Sequence, residues 1–238
     1  MKKLFSLVLI IGTFSPVWSQ AVRNAAETTG NRKQVSKDRN QLERDRFELQ
    51  AFIQKTARFD AAWESRDLPA LRSIKAELLA DMHREIMQTE SKLKKDAAEV
   101  VSSRSELRSE SREIRRDRKE LRGPGREIGD RRDIQADRVD RMDDRKDLAD
   151  DRSDFASQAD LLTRQKEIYT TLKAYTFSLE PSVREKEIAN RQLLKEFIRT
   201  MQVDIRMTYG ELSEDRREVR EDRKERRDDR RERRERVF

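Results

Sequence analysis

Residues 130–154 read DRRDIQADRVDRMDDRKDLADDRSD. The acids Asp130, Asp133, Asp137, Asp140, Asp144, Asp147, Asp151 and Asp154 follow one another at alternating steps of three and four. On an α-helix that spacing places them all on one face. Arg131, Arg138, Arg145 and Arg152 form a second line at a strict step of seven. Between the two lines run the apolar residues Ile134, Leu148 and Phe155. The stretch therefore predicts a helix with an acid edge, a narrow apolar seam and a basic edge. Like charges at i,i+4 destabilise an isolated helix by about 0.2–0.5 kcal/mol per pair. Segregated signs thus point to another helix lying alongside.

Outward from this stretch, the composition supports the same class. Of 238 residues, 43% are charged and 34% hydrophobic, with only 4 prolines and 6 glycines. The helix formers Leu, Arg, Glu, Lys, Gln and Ala dominate, while β-branched and aromatic residues are too sparse for a sheet. An all-α protein is predicted. The net charge of +7 is small beside 55 basic and 48 acidic residues, and the signs are interleaved. Nucleic-acid binding favours uncompensated Lys and Arg, so nucleic acid is not the expected partner.

Residues 1–19 read as a secretory signal peptide: Lys2 and Lys3, an apolar run from Leu4 to Phe14, then Pro16, with Val17 and Ser19 before the cleavage point. The run is too short to span a bilayer comfortably, and no later segment resembles a transmembrane helix. Cysteine is absent, which removes disulfides and thiol chemistry. An exported protein, in the bacterial periplasm, is expected.

Residues 20–33 are polar and read as a disordered lead-in. A first helix over 34–65 carries the seam Val35, Leu42, Leu49, Phe52, Thr56, Phe59 and Trp63. Asp67 suits an N-cap, with Pro69 in the first turn of the next helix. That second helix, to Arg122, holds Leu79, Ile86, Leu93, Val100, Leu107, Ile114 and Leu121, each seven apart, a coiled-coil-like repeat. The companion heptad position is apolar at Met82 and polar at Thr89, Asp96 and Ser103. Gly123-Pro124-Gly125 marks a turn. A third helix runs to about Thr176. Pro181 breaks the chain before a fourth, whose seam is Leu194, Ile198, Met201, Ile205, Leu212 and Val219.

Asp38-Arg39, Leu42 and Asp45-Arg46 recur as Asp144-Arg145, Leu148 and Asp151-Arg152, and Trp63 recurs as Tyr169. These matches predict a tandem duplication. Four long helices would then form two helical hairpins, residues 34–122 and 126–238, the latter ending in a charged C-terminal helix. Folding them gathers Phe52, Phe59, Trp63, Leu78, Met82, Phe177 and Phe197 into a bundle-like apolar head and leaves a charged, coiled-coil-like stalk. The flanking charges favour parallel contacts, between first and third or second and fourth helices, or between subunits.

One histidine, His83, and no cysteine leave the usual nucleophile–base pairs and zinc sites without parts. Helix-face carboxylates lack the burial that tunes a catalytic acid. No enzyme, no cofactor and no metal site is expected. Exported, basic, cysteine-free helical chains are similar in class to the small periplasmic chaperones of the Spy and Skp kinds. The Leu-Thr-x-x-Gln signature of the former is absent, since Leu162-Thr163-Arg164-Gln165 has the wrong spacing. That similarity implies a chaperone-like or adaptor-like protein that binds other proteins. A structural spacer that homo-oligomerises, and a binder of nucleic acid or anionic lipid, are the alternatives. The expected client-binding apolar surface is Phe47, Ile53, Met87, Tyr175, Val203, Met207 and Tyr209, all off the main seams.

Export places the mature N-terminus at Gln20. Mass spectrometry of protein from the soluble envelope fraction is expected to find that terminus, and an intact Met1 there contradicts export.

Overall fold

A computed structural model describes residues 16–120 and 128–235. They form α1 (Pro16–Glu64), α2 (Leu68–Glu120), α3 (Ile128–Ala174), a 3-10 turn at Pro181–Val183 and α4 (Arg184–Glu235). No strand occurs among the described residues. The all-α class and the four long helices agree with the sequence. The lead-in differs: residues 20–33 belong to α1, where Ala21, Ala25, Ala26 and Glu27 favour helix. Most of the signal peptide and the Gly-Pro-Gly turn lie outside the described residues, as do Leu121 and the side chains of Asp130, Asp133, Ile134, Asp137 and Asp140.

The chain divides into two compact units, Asp45–Met207 and a second formed by Met1–Arg44 with Thr208–Phe238. In the second unit Asp38, Leu42, Thr208, Leu212 and Val219 are buried. The Asp45–Met207 unit contains the apolar core and is described first by its turns.

Asp67 caps α2 as expected, its carboxylate accepting the Ala70 N–H at 3.0 Å. Before it, Arg66 adopts φ 57°, and Asp67 N–H bonds back to Ala62 at 2.8 Å, closing the C-terminus of α1. Leu179 also takes a positive φ, 62°, and its carbonyl accepts from Arg66 at 3.0 Å. Buried Glu187 accepts the Ser178 and Leu179 N–H groups, each at 2.8 Å. The turn after α1 and the segment before α4 are thereby joined by side chains that satisfy backbone groups.

Above these turns lies the core: Leu49, Phe52 and Phe59 from α1, Leu71, Leu78 and Met82 from α2, Ile168 and Leu172 from α3, Phe177, and Leu194, Phe197 and Met201 from α4. Phe52 and Phe197 meet at 5.3 Å between ring centroids. Tyr175, Phe177 and Phe59 form an edge-on chain with spacings of 5.0 Å. The residues predicted for the head are thus in this cluster or packed against it.

Ion pairs record how the helices run. Lys55 and Glu48 of α1 pair with α2 in reverse order, Lys55 with Asp81 at 2.6 Å and Glu48 with Arg84 at 3.5 Å. Lys166 of α3 pairs with Glu90 of α2 at 2.6 Å, and Ser103 donates to Asp151. Arg164 grips Glu196 of α4 with two bonds of 2.7 and 2.8 Å. Arg191 of α4 holds Asp60 of α1 at 2.8 Å and stacks on Trp63 at 4.0 Å. In the α1–α2 and α2–α3 pairings the numbers rise on one helix as they fall on the other, and Gln158–Asp204 beside Arg164–Glu196 shows the same for α3 and α4, so these neighbours run antiparallel.

The repeated positions agree in burial at the leucines and differ at the aspartates. Leu42 and Leu148 are buried, Asp38 and Asp45 buried, and Asp144 and Asp151 half-buried. Trp63 and Tyr169 both pack against the core.

Removing the Phe197 ring from this core is expected to destabilise the protein by about 3–5 kcal/mol. Val101→Ala, at an exposed site, is expected to stay within about 0.5 kcal/mol. Urea unfolding followed by circular dichroism measures both.

Candidate functional site

Beyond Met82 the inward line of α2 turns polar. Glu85 and Thr89 are buried, and so is Asp96. Asp45 on α1 and Asp204 on α4 are buried in turn, as are Gln158 and Gln165 on α3. The helical seam places these groups inward because they occupy core positions, not because they are apolar: on α1, Leu42, Asp45, Leu49 and Phe52 follow the same three-and-four spacing.

Lys92 is the hub. Its ammonium bonds the Asp45 carboxylate at 3.0 Å and the Asp204 carboxylate on its other side. Gln158 donates to the second oxygen of Asp204 at 3.0 Å. Burial opposes the charge on Lys92, but the two aspartates overcome it and its pKa is raised. One ammonium facing two aspartates leaves a surplus negative charge, and Glu85 responds to it. Burial first, then the charge of Asp204, push Glu85 up to about 8, so it holds its proton at neutral pH.

A second acidic group lies between α2 and α3. Burial, then neighbouring Glu99, push Asp96 up to about 6, and Asp154 across the interface adds to the effect. Asp147 and Asp154 of the quoted ladder are raised too, by burial and then by neighbouring aspartates. At Asp151, which accepts from Ser103, and at Asp154, which feels Glu99, the acid edge lies against α2.

The expected surface residues are distributed as follows. Phe47 is 75% exposed, Met87 52% and Tyr209 57%. Ile53 and Tyr175 pack partly buried against the core, while Val203 and Met207 are half-buried. Glu48 accepts from Gln88 at 3.1 Å, linking α1 to α2. Phe47 and Met87 each precede one partner of that bond, so they stand within about 3 Å of one level on neighbouring antiparallel helices. Tyr209 belongs to the other unit. Exposed Val101, Val139, Met142 and Ile188 were not anticipated.

Sequence reasoning missed the buried polar layer. Its one signal was the companion heptad position of Met82, Thr89 and Asp96, which reads as fading apolarity and is in fact the inward line. His83 is exposed, its ring 6.0 Å from Tyr169. Among the described residues no group of three His, Cys, Asp or Glu is placed to hold a metal ion, and no helix is long and apolar enough to cross a membrane. No family model, curated protein or solved structure matches the chain.

The raised carboxyls give the fold a pH dependence of definite sign. Folded Glu85 keeps its proton up to about pH 8, whereas the unfolded chain releases it near the ordinary value of about 4.3. Between these limits the folded state binds more protons, so stability falls as pH rises. Asp96 acts likewise up to about pH 6. Glu85→Gln is expected to flatten the slope between pH 5 and 8 and to stabilise the protein at pH 7 by on the order of 1–3 kcal/mol. Urea unfolding across that pH range measures it; an unchanged slope shows that Glu85 does not titrate there.

Proposed function

We propose that this chain is an exported, non-enzymatic helical protein of the cell envelope that binds other proteins in a chaperone-like or adaptor-like manner. The observation that carries the reading is the pair Phe47 and Met87. Both are large apolar side chains left in solvent at one level of α1 and α2, on helices whose cores are otherwise filled. Exposed apolar groups gathered on a surface mark interaction sites, and methionine and aromatic side chains adapt to varied partners. The interleaved charges around them keep a loaded complex in solution. The four helices supply a rigid support for such a surface, since the core beneath Phe47 includes Leu49 and Phe52.

The purified protein is expected to slow aggregation of an unfolded test protein at near-stoichiometric ratio without ATP. Phe47→Ser combined with Met87→Ser is expected to reduce that protection several-fold while leaving the helical circular-dichroism signal unchanged. Absence of protection across several unrelated clients favours the structural-spacer alternative, which analytical ultracentrifugation tests through a fixed oligomeric state.

A further inference from the structure

Several cations of the Asp45–Met207 unit align its helices. Lys55, Lys92, Arg164, Lys166 and Arg191 each hold a carboxylate of another helix. Lys75 does not. Its ammonium is half-buried and donates to the neutral Tyr175 carbonyl. Burial pushes its pKa down, with no acidic neighbour offsetting the loss of water. A buried cation without a counter-ion is unfavourable, and an anion placed beside it relieves the cost.

Space for such an anion exists. A cavity of about 250 Å³ opens between the start of α2 and the segment that follows α3. Leu71, Leu79 and Phe177 give it an apolar lining, and Ala76 lies at its wall. Arg72 and Lys75 are its charged lining residues, and no carboxylate lines it. They are three apart on α2 and so share a face. Arg72 is exposed, and among the described residues it forms no ion pair. An apolar recess with a few convergent polar groups is the usual form of a small-molecule site. A cavity of about 150 Å³ holds benzene, so this one admits a group somewhat larger.

We propose that the cavity lined by Leu71, Leu79 and Phe177 binds a small apolar carboxylate, its tail in the recess and its carboxylate between Lys75 and Arg72. The site is independent of the protein-binding surface at Phe47 and Met87. The ligand class follows from charge complementarity: two cations, no lining acid, and an apolar floor too small for a long chain. The carboxylate gives Lys75 the counter-ion that the fold withholds, and the guanidinium of Arg72 presents paired donors to the same group.

Calorimetric titration of the whole chain with 3-phenylpropionate tests the proposal, with 3-phenylpropanol and 3-phenylpropylamine as matched probes. Saturable one-to-one binding of the acid is expected, with the alcohol and the amine weaker by about tenfold or more. Lys75→Met is expected to lower affinity for the acid about tenfold, and Ala76→Trp, which fills the recess and keeps both cations, to abolish binding. Should Lys75→Met lose its helical signal, Arg72→Ala at an exposed position reads the same contact. Equal binding of acid and alcohol overturns the proposal, as does unchanged affinity in folded Lys75→Met. Tighter binding of a peptide with a C-terminal phenylalanine than of the free acid assigns the recess to a protein terminus and overturns the small-molecule reading.

Discussion

Lys92 lies between Asp45 and Asp204, and its reach across the core sets the alignment of the helices around it. With Gln158 on the far oxygen of Asp204, α1, α2, α3 and α4 are all tied within one layer. Apolar contacts alone tolerate a slip of one helix past another, because leucine and phenylalanine accept many neighbours. A slip here would strand two aspartates or an ammonium in the interior. Breaking a buried pair in that way costs about 3–5 kcal/mol. The apolar cluster thus supplies stabilisation, and the polar layer supplies register.

Much of this was legible in the chain. Leu42, Leu49, Phe52, Thr56 and Phe59 are all buried, as their three-and-four spacing required. Asp67 caps α2, and Pro181 opens the turn before α4. The strict run of seven on α2 was misleading for a geometric reason. A straight α-helix drifts by about 20° per heptad relative to a seven-residue repeat. Along the run from Leu79 to Ile114 only Ile86 and Ile114 are buried, while Leu79, Leu93, Val100 and Leu107 stay half-buried, so the run lies mostly on a flank of the inward line. Over the first heptads the inward position belongs to Leu78, Met82, Glu85 and Thr89. The polar residues on that line looked like a seam running out. The Thr89 hydroxyl turns back to the Glu85 carbonyl, while Lys92 beside this line meets Asp45 and Asp204 on other helices, and no local pattern reports such a pairing.

The acidic ladder has a related explanation. Alone, eight aspartates on one face weaken a helix. In the fold, Asp154 faces an interface that also carries Asp96 and Glu99. The repulsion is lessened by protons, held above the ordinary carboxylate range, and by the Ser103 hydroxyl that donates to Asp151. The same chemistry that makes Glu85 neutral makes this interface tighten as pH falls. Acid is usually the direction in which paired carboxylates are lost. Here the described carboxylates with lowered pKa, Glu90 and Glu196, are held by Lys166 and Arg164 at solvent-facing sites, where screening limits their weight.

These two electrostatic arrangements separate structure from availability. Charges that align helices are consumed: Lys92 and Arg191 meet their carboxylates away from solvent, Arg164 meets Glu196 at the surface, and Arg191 also covers Trp63 with its planar face. Apolar groups that stabilise it are consumed as well, in the cluster around Phe52 and Phe197. What remains unspent is therefore informative. Phe47 and Met87 are apolar groups that no core position required, and Lys75 is a cation that no helix pairing required. A helix can bury only one stripe, so residues opposite it are free to vary without loss of fold. An apolar side chain there, or a half-buried amine whose bond is to a neutral carbonyl, is not required by the packing that surrounds it. Its account has to be sought in what approaches from outside.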